Sequence, residues 1–193
     1  MRSANSHFAR ALIMGACLTA AVSAHAAGGY DAYVGGALGP SSIDADCRLS
    51  TSCDDSDMGY KFYAGFELPR FPLPRSAVEV SYTDYGQATI HYTSLAQRTV
   101  SVSAVSFDLA LRAQLVPNLG AVGRVGLAYV SAKGRGPVSN SSDSNLEPHL
   151  GLGLEYQLNR QLKLTGGFDF TNYDTGAESG SVHLFSLGLQ AGF

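Results

Sequence analysis

Past residue 26, few residues of this 193-residue chain could carry chemistry. Histidine occurs there at His91, His149 and His183. A base activates a hydroxyl only when the two meet in space, and residues two apart on an extended strand share a face. At that spacing His91 meets Thr93, His149 meets Gly151 and His183 meets Phe185, so there is no His-x-Ser pair. Cys47 and Cys53 share a polar stretch with Asp44, Asp46, Asp54, Asp55 and Asp57. An oxidised Cys47–Cys53 pair would close a short loop and add about 2–3 kcal/mol through loop entropy. Metal ligation is the alternative, but no histidine lies nearby. The aspartates read as solvated loop carboxylates, with a calcium or magnesium site as the sharper reading. What remains is a set of charges, Glu67, Glu79, Arg112, Arg124, Glu155 and Lys163.

Those charges need elements to position them, and the chain supplies two-residue alternation. In its last segment Phe185, Leu187, Leu189, Ala191 and Phe193 share one parity, while Ser186, Gly188, Gln190 and Gly192 share the other. Successive strand residues point to opposite faces, so one face is apolar and the other small or polar. Seven more segments repeat this, at about 30–39, 58–68, 77–85, 99–115, 121–132, 149–158 and 162–173, and no helical period competes. In 58–68, Met58, Tyr60, Phe62, Ala64, Phe66 and Leu68 alternate with Gly59, Lys61, Tyr63, Gly65 and Glu67. All six candidate charges fall on polar parities. Gly151-Leu152-Gly153 is no nucleotide loop, since no helix pattern follows it.

Residues 1–26 carry Arg2 and Arg10, no acid, an apolar run from Ala11 to Val22 and the small-x-small site Ala24-His25-Ala26. This is the pattern of a secretory signal peptide, and it leaves 27–193 as one domain. Met14-Gly15-Ala16-Cys17 is a poor lipoprotein site by comparison. Export places the cysteine pair in an oxidising compartment, which favours the disulfide over a metal. Removing the two leader arginines from the 13 Lys and Arg leaves 11 bases against 16 acids, a net of −5. That argues against a nucleic-acid partner.

No later stretch approaches 18 apolar residues, so only a closed barrel could cross a bilayer. Long polar connections near 40–57, 86–98, 133–147 and 174–180 alternate with short ones near 69–76, 116–120 and 159–161. This rhythm is expected of an outer-membrane barrel with short periplasmic turns and long outer loops. The outward aromatics then form two belts, Tyr30, Phe66, Tyr156 and Phe193 low and Tyr60, Tyr82, Tyr129 and Phe185 high. A lipocalin-like soluble barrel is the rival, but its water-facing surface would need polar cover where this chain has glycine. The fold expected is an all-β, eight-stranded antiparallel up-and-down transmembrane barrel, integral to the outer membrane of a Gram-negative bacterium.

Gly59-Tyr60-Lys61-Phe62-Tyr63-Ala64-Gly65-Phe66-Glu67, Ala77-Val78-Glu79-Val80-Ser81-Tyr82, Gly123-Arg124-Val125-Gly126-Leu127-Ala128, Gly151-Leu152-Gly153-Leu154-Glu155-Tyr156 and the terminal strand resemble the OmpA-like outer-membrane barrel family. The resemblance covers nearly all of 27–193. The sequence departs from OmpA itself in ending at the barrel, so a stand-alone barrel without the peptidoglycan-binding domain is expected and cell-wall anchoring does not carry over. Some small members of the group look like adhesion or serum-resistance proteins. The terminal strand, with Phe185, Leu187, Leu189 and Phe193, resembles the signal such proteins present to the barrel-insertion machinery. Some eight-stranded barrels modify lipid A, and the deacylase type uses the His-x-Ser pair that is absent here. The expected function is structural or surface interaction, with no catalytic, cofactor-binding or metal residues. A narrow pore is the runner-up and a lipid A-modifying enzyme the third reading. Expected partners are outer-membrane lipid and lipopolysaccharide, the insertion machinery and an extracellular ligand of the loops, for a monomer.

Two expectations concern geometry. Val100 and Val102 share a parity, but Val105, Phe107 and Leu109 take the other. A one-residue slip flips every side chain, so a bulge near Ser103 or Ala104 is expected, or a strand top above the lipid. Inside, Glu79 should pair with Arg112, Arg124 with Glu155 and Glu155 with Lys163, in one network with Glu67 that plugs a lumen just wide enough for side chains.

The topology is testable. The proposed periplasmic turns hold Arg70, Arg75 and Arg160, while the outer loops and their shoulders hold Arg48, Arg98, Lys133 and Arg135 among nine carboxylates. Protease added to whole cells should cut at Arg48, Lys133 or Arg135 before Arg70 or Arg75. Cleavage confined to Arg70 and Arg75 would mean an inverted barrel.

Overall fold

The computed structural model describes residues 32–44, 52–68, 75–93, 96–135, 140–174 and 179–193. Its strands are β1 (Ala32–Ile43), β2 (Ser52–Asp54), β3 (Ser56–Leu68), β4 (Ser76–Thr93), β5 (Ala96–Val116), β6 (Leu119–Arg135), β7 (Asn140–Gln157), β8 (Leu162–Asp174) and β9 (Ser179–Gly192). Every ladder is antiparallel. Eight strands form the closed wall, and the three-residue β2 adds to the outer part of β4. Closure falls between β1 and β9, where Ala32 and Phe193 exchange both backbone hydrogen bonds, at 3.2 and 3.0 Å. Closure is what a bilayer demands, since an open edge would leave N–H and C=O groups unpaired in hydrocarbon.

Alternation sorts the side chains as the sequence predicts. Leu38, Phe62, Phe66, Phe107, Leu127, Leu152, Phe185, Leu187 and Leu189 all face outward and stay exposed, forming the lipid-facing band. The described belt residues Tyr60, Phe66, Tyr82, Tyr129, Tyr156, Phe185 and Phe193 are on that same face, Tyr60 half-buried between Phe62 and Tyr82. Tyr30 lies outside the described residues.

Two expectations change. First, β5 runs without a bulge at Ser103 or Ala104, since its register on β6 is unbroken from Thr99 to Gln114. Val100, Val102 and Ala104 point inward, and Val105 and Phe107 point outward, on one regular strand. The irregularity sits on the neighbour, where β4 shifts register on β5 between Asp84 and Gln87. Gly86 there has φ 77°, a left-handed conformation that glycine adopts without steric cost. The two residues Tyr85 and Gly86 therefore face one residue of β5, which is a bulge. Both carboxylate oxygens of Asp57 accept backbone amides here, from Met58 at 2.8 Å and Gln87 at 2.8 Å, so its role is to hold the bend.

Second, most of what the sequence suggests as outer loops is strand. β4 and β5 pair as far as Thr93 and Ala96, and β6 and β7 as far as Arg135 and Asn140. Turn residues were too few to distinguish a polar hairpin from a polar loop. Lys133 lies in this ladder, opposite Ser101 and Ser142, which lowers its rank as a cleavage site. Four strands, β4 to β7, have 17 to 21 residues, whereas β1, β3, β8 and β9 have 12 to 14. One side of the barrel therefore rises as a wall above the other.

Within the lumen, two tyrosines lie flat against glycines of the neighbouring strand. Tyr33 on β1 pairs with Gly65 on β3, and Gly35 pairs with Tyr63. A Cβ on Gly65 would fall 2.2 Å from the Tyr33 ring, and one on Gly35 would fall 2.2 Å from the Tyr63 ring. The glycines are therefore seats for rings, which meet edge-on at 6.4 Å. Gly65→Val should push Tyr33 off the wall. The expected loss is about 1–3 kcal/mol, read by urea unfolding of the refolded barrel in micelles, with Gly36→Val on the outer face as the milder control.

Candidate functional site: the lumen charge network

Glu79 is the centre of the lower lumen and has no exposed surface. Its carboxylate accepts Arg124 Nε at 2.5 Å, Arg112 Nη2 at 3.1 Å and the Tyr33 hydroxyl at 2.6 Å. Arg112 also donates from Nε to Glu155 at 3.0 Å, and Lys163 donates to Glu155 at 2.9 Å. Arg124, Glu79, Arg112, Glu155 and Lys163 thus form one chain of ion pairs across β4, β5, β6, β7 and β8. The guanidinium of Arg112 sits 4.6 Å from the Tyr33 ring centre, and that of Arg124 sits 5.5 Å from Tyr63. Stacking of this kind gives a buried cation a partner on a side where it has no oxygen.

The structure brings together five of the six charges singled out in the sequence. Arg124 binds Glu79 rather than Glu155, because β5 is short of bulk at Ala110 and lets Arg124 reach across to β4. Glu67 makes no ion pair with a described residue and lies at the periplasmic mouth, beside Arg75 and Gln114. There β3 is one residue from its end.

A second tier sits above the first and was not assembled from the sequence. Lys61 on β3 binds Asp169 on β8 at 2.6 Å. His149 Nδ1 lies 2.7 Å from Asp108, while its Nε2 is 3.6 Å from Asp169, too far for a hydrogen bond. Ser106 donates to Asp108 at 2.5 Å and accepts from Ser81 at 2.7 Å. All of these residues are buried. Their signal was available: Lys61, Asp108 and Asp169 occupy the polar parity of their strands. Only a cavity of about 20 Å³ lies beside Lys61, Tyr63, Arg124 and Asp169, room for about one water.

A third layer is apolar. Ile43, Tyr85, Val100, Val102, Val130, Tyr173, Val182 and Leu184 pack inside the outer part of the barrel. This is where Val100 and Val102 go: the inward face changes from charge to hydrocarbon along the strand, so parity alone looked contradictory.

The other candidates separate from this network. His183 lies on the outer face, stacked 5.7 Å from Phe168 and tilted 5.2 Å from Phe170. Asp44 accepts Ser181 Oγ at 2.7 Å and lies 3.1 Å from His183 Nε2. Ser181, then His183, hold the Asp44 carboxyl below the usual carboxylate range. The acid stands between hydroxyl and imidazole, whereas a nucleophile would need the imidazole in the middle. The side chains of His91, Cys47 and Cys53 lie outside the described ones, although the Cys53 backbone pairs with Ile90. Among the described residues no three potential ligands gather as a metal site. Phe185, Leu187, Leu189 and Phe193 present an exposed apolar row on β9 and its end.

Removing one partner from the centre leaves a buried charge uncompensated. Arg124→Ala should cost about 3–5 kcal/mol, measured by urea unfolding, and the double variant Arg124→Leu with Glu79→Leu should recover much of it. A double variant as unstable as the single one would mean that Arg124 matters for bulk and not for charge.

Among solved structures the chain is similar in fold to the attachment invasion locus protein Ail of Yersinia pestis, at 16% identity and a TM-score of 0.55, covering 86% of this chain and 99% of that one. Neisserial surface protein A matches at 13% identity and a TM-score of 0.59, covering 86% and 98%. The N-terminal barrel domain of Pseudomonas aeruginosa OprF matches at 16% and 0.53, covering 84% and 97%. A search of curated protein sequences finds no match. Residues 12–193 match the profile of the outer membrane protein beta-barrel domain. The chain belongs to that family and is an integral protein of the Gram-negative outer membrane.

Proposed function

We propose that this protein is a non-conducting barrel that acts at the cell surface through its raised outer wall, and not by transport or catalysis. The observation that carries this reading is the filled lumen: Glu79 has no exposed surface and is bonded from three strands. An ion crossing the barrel would have to break the Arg124–Glu79–Arg112–Glu155 chain and then pass the apolar layer above it. Against a lipid A-modifying enzyme stands the absence, among the described residues, of a hydroxyl bonded to His149 or His183, each of which meets a carboxylate instead. Lipid and lipopolysaccharide would cover the outward band, and the row ending at Phe193 would be offered to the insertion machinery.

A surface role also fits the fold it shares with a bacterial attachment protein and a neisserial surface protein, although identity is low. Ail has been crystallised with the heparin analogue sucrose octasulfate. For this chain a sulfated polyanion is the poorer partner, because its outer loops and shoulders hold nine carboxylates against four bases.

Planar-bilayer recording tests the closed lumen. The wild-type barrel should give no steady conductance, and Arg124→Ala should give intermittent openings. Steady conductance of the wild type, unchanged in Arg124→Ala, would overturn the plug and favour a pore. Cells displaying the barrel should bind immobilised extracellular proteins, and shortening the β4–β5 and β6–β7 hairpins together should abolish that binding. Retention of binding without the wall would remove the surface reading.

A further inference from the structure

Below the ion-pair chain, the periplasmic mouth of the lumen is a polar cavity of about 370 Å³, within the size range of small-ligand pockets. Its charged lining is Arg75, Arg112 and Lys163 against Glu67 and Glu155, three bases and two acids, a net of +1. Arg112 is the most buried base of the three, its side chain 8% exposed, with Nε on Glu155 and Nη2 on Glu79. Its Nη1 is buried and has no hydrogen-bond partner. A buried cationic donor without an acceptor is costly, so its place beside a polar cavity points to an acceptor that arrives from outside. Lys163 has given one of its three donors to Glu155, and its side chain is 29% exposed. Glu155 takes Arg112 on Oε1 and Lys163 on Oε2, which holds the two bases side by side.

The third base is fixed over the same cavity. Arg75 has φ 61°, a left-handed backbone that residues other than glycine seldom adopt. Its carbonyl accepts the Arg112 amide at 3.2 Å, and its Nη1 donates to Gln114 Oε1 at 2.7 Å. Gln114 in turn donates to the Pro117 carbonyl at 3.1 Å, so the guanidinium is tied to the β5–β6 turn through a neutral amide. That contact positions the charge without neutralising it. Where glycine would sit without strain, the chain keeps a cation, and such outliers gather at functional sites.

We propose that the periplasmic mouth binds a small monocarboxylate, one oxygen on Arg112 Nη1 and the other on Lys163 Nζ, with Arg75 as the outer cation. Carboxylates bind arginine and lysine through charge-assisted hydrogen bonds, about twice as strong as neutral ones. One negative charge brings the lining to zero, whereas a second would be set against Glu67 and Glu155. A free acid and the carboxyl end of a peptide carry the same group. The site lies at the opposite end of the barrel from the raised wall and stands apart from the surface reading.

The test uses the refolded full-length barrel in nanodiscs of zwitterionic lipid, with arginine and lysine side chains labelled for NMR. N-acetylalanine is the probe and N-acetylalaninamide its uncharged control. The acid should shift the Arg112 and Lys163 side-chain signals saturably, and the amide should not. Arg75→Gly removes the guanidinium at a position whose backbone glycine adopts freely, so the barrel should fold and bind about threefold more weakly, the scale of an exposed ion pair. Lys163→Gln should weaken binding about tenfold, and Lys163→Arg should restore most of it. Acetyl-trialanine separates the two sources: equal affinity supports a receptor for peptide ends, and weaker binding supports a site for free acids. Equal shifts with the amide, or no saturable shift with the acid, would overturn recognition of the carboxylate. Inorganic phosphate binding as tightly as the acid would overturn the monocarboxylate. Affinity unchanged in both Arg75→Gly and Lys163→Gln would overturn the mouth as the site.

Discussion

A carboxylate without access to water must be satisfied by its neighbours, and Glu79 collects its neighbours from three strands besides its own. Tyr33 comes from β1, Arg112 from β5 and Arg124 from β6. Each arrives on the inward parity of its strand, so the four registers are tied to one another. A slip of one residue in any of them would turn a charge, or in β1 the Tyr33 hydroxyl, toward lipid and leave Glu79 short of a partner. The ring seats depend on the same registers, because Tyr33 opposite Gly65 and Tyr63 opposite Gly35 hold only in this alignment. Those rings then carry the guanidinium groups that reach Glu79. Lumen chemistry and wall geometry are one constraint.

Much of this could be read from residue order. Alternation with period two separates Phe62, Phe66, Leu152 and Leu187 from Lys61, Glu67, Gly153 and Gly188 without any structure. It also places Glu79, Arg112, Arg124, Glu155 and Lys163 inside. What alternation does not give is reach. Arg124 is long enough to pass a neighbour and bind Glu79, so adjacency between strands named the wrong acid. Height was equally hidden. Ser101, Ser103 and Thr99 are polar and outward, which suits a strand in water as well as a loop, and β5 continues through them. The inward change from Asp108 to Val102 and Val100 mimics a register error, because the inward face turns from polar to apolar along one regular strand.

The same unequal heights shape the molecule's surface. With 21 residues at about 3.4 Å each, β5 measures about 70 Å along its path. Inclined by about 40°, it climbs about twice the height of the ~25 Å apolar band of such barrels. The strands around β1 and β9 end soon after that band. Among the described residues, what stands above that band is therefore on one side of the barrel, as a hydrogen-bonded sheet.

The closure between Ala32 and Phe193 also bears on how the molecule is made. Seven of the eight wall ladders join strands that follow one another along the chain, and hairpin contacts of that kind form quickly because little loop entropy opposes them. Only β1 against β9 joins the two ends of the chain. Until that seam forms, a nearly finished sheet has two raw borders, and neither can rest in hydrocarbon. Among the wall ladders this seam is the one with a large separation along the chain. The topology sets seven local pairings against one distant one, and only the distant one turns a sheet into a barrel.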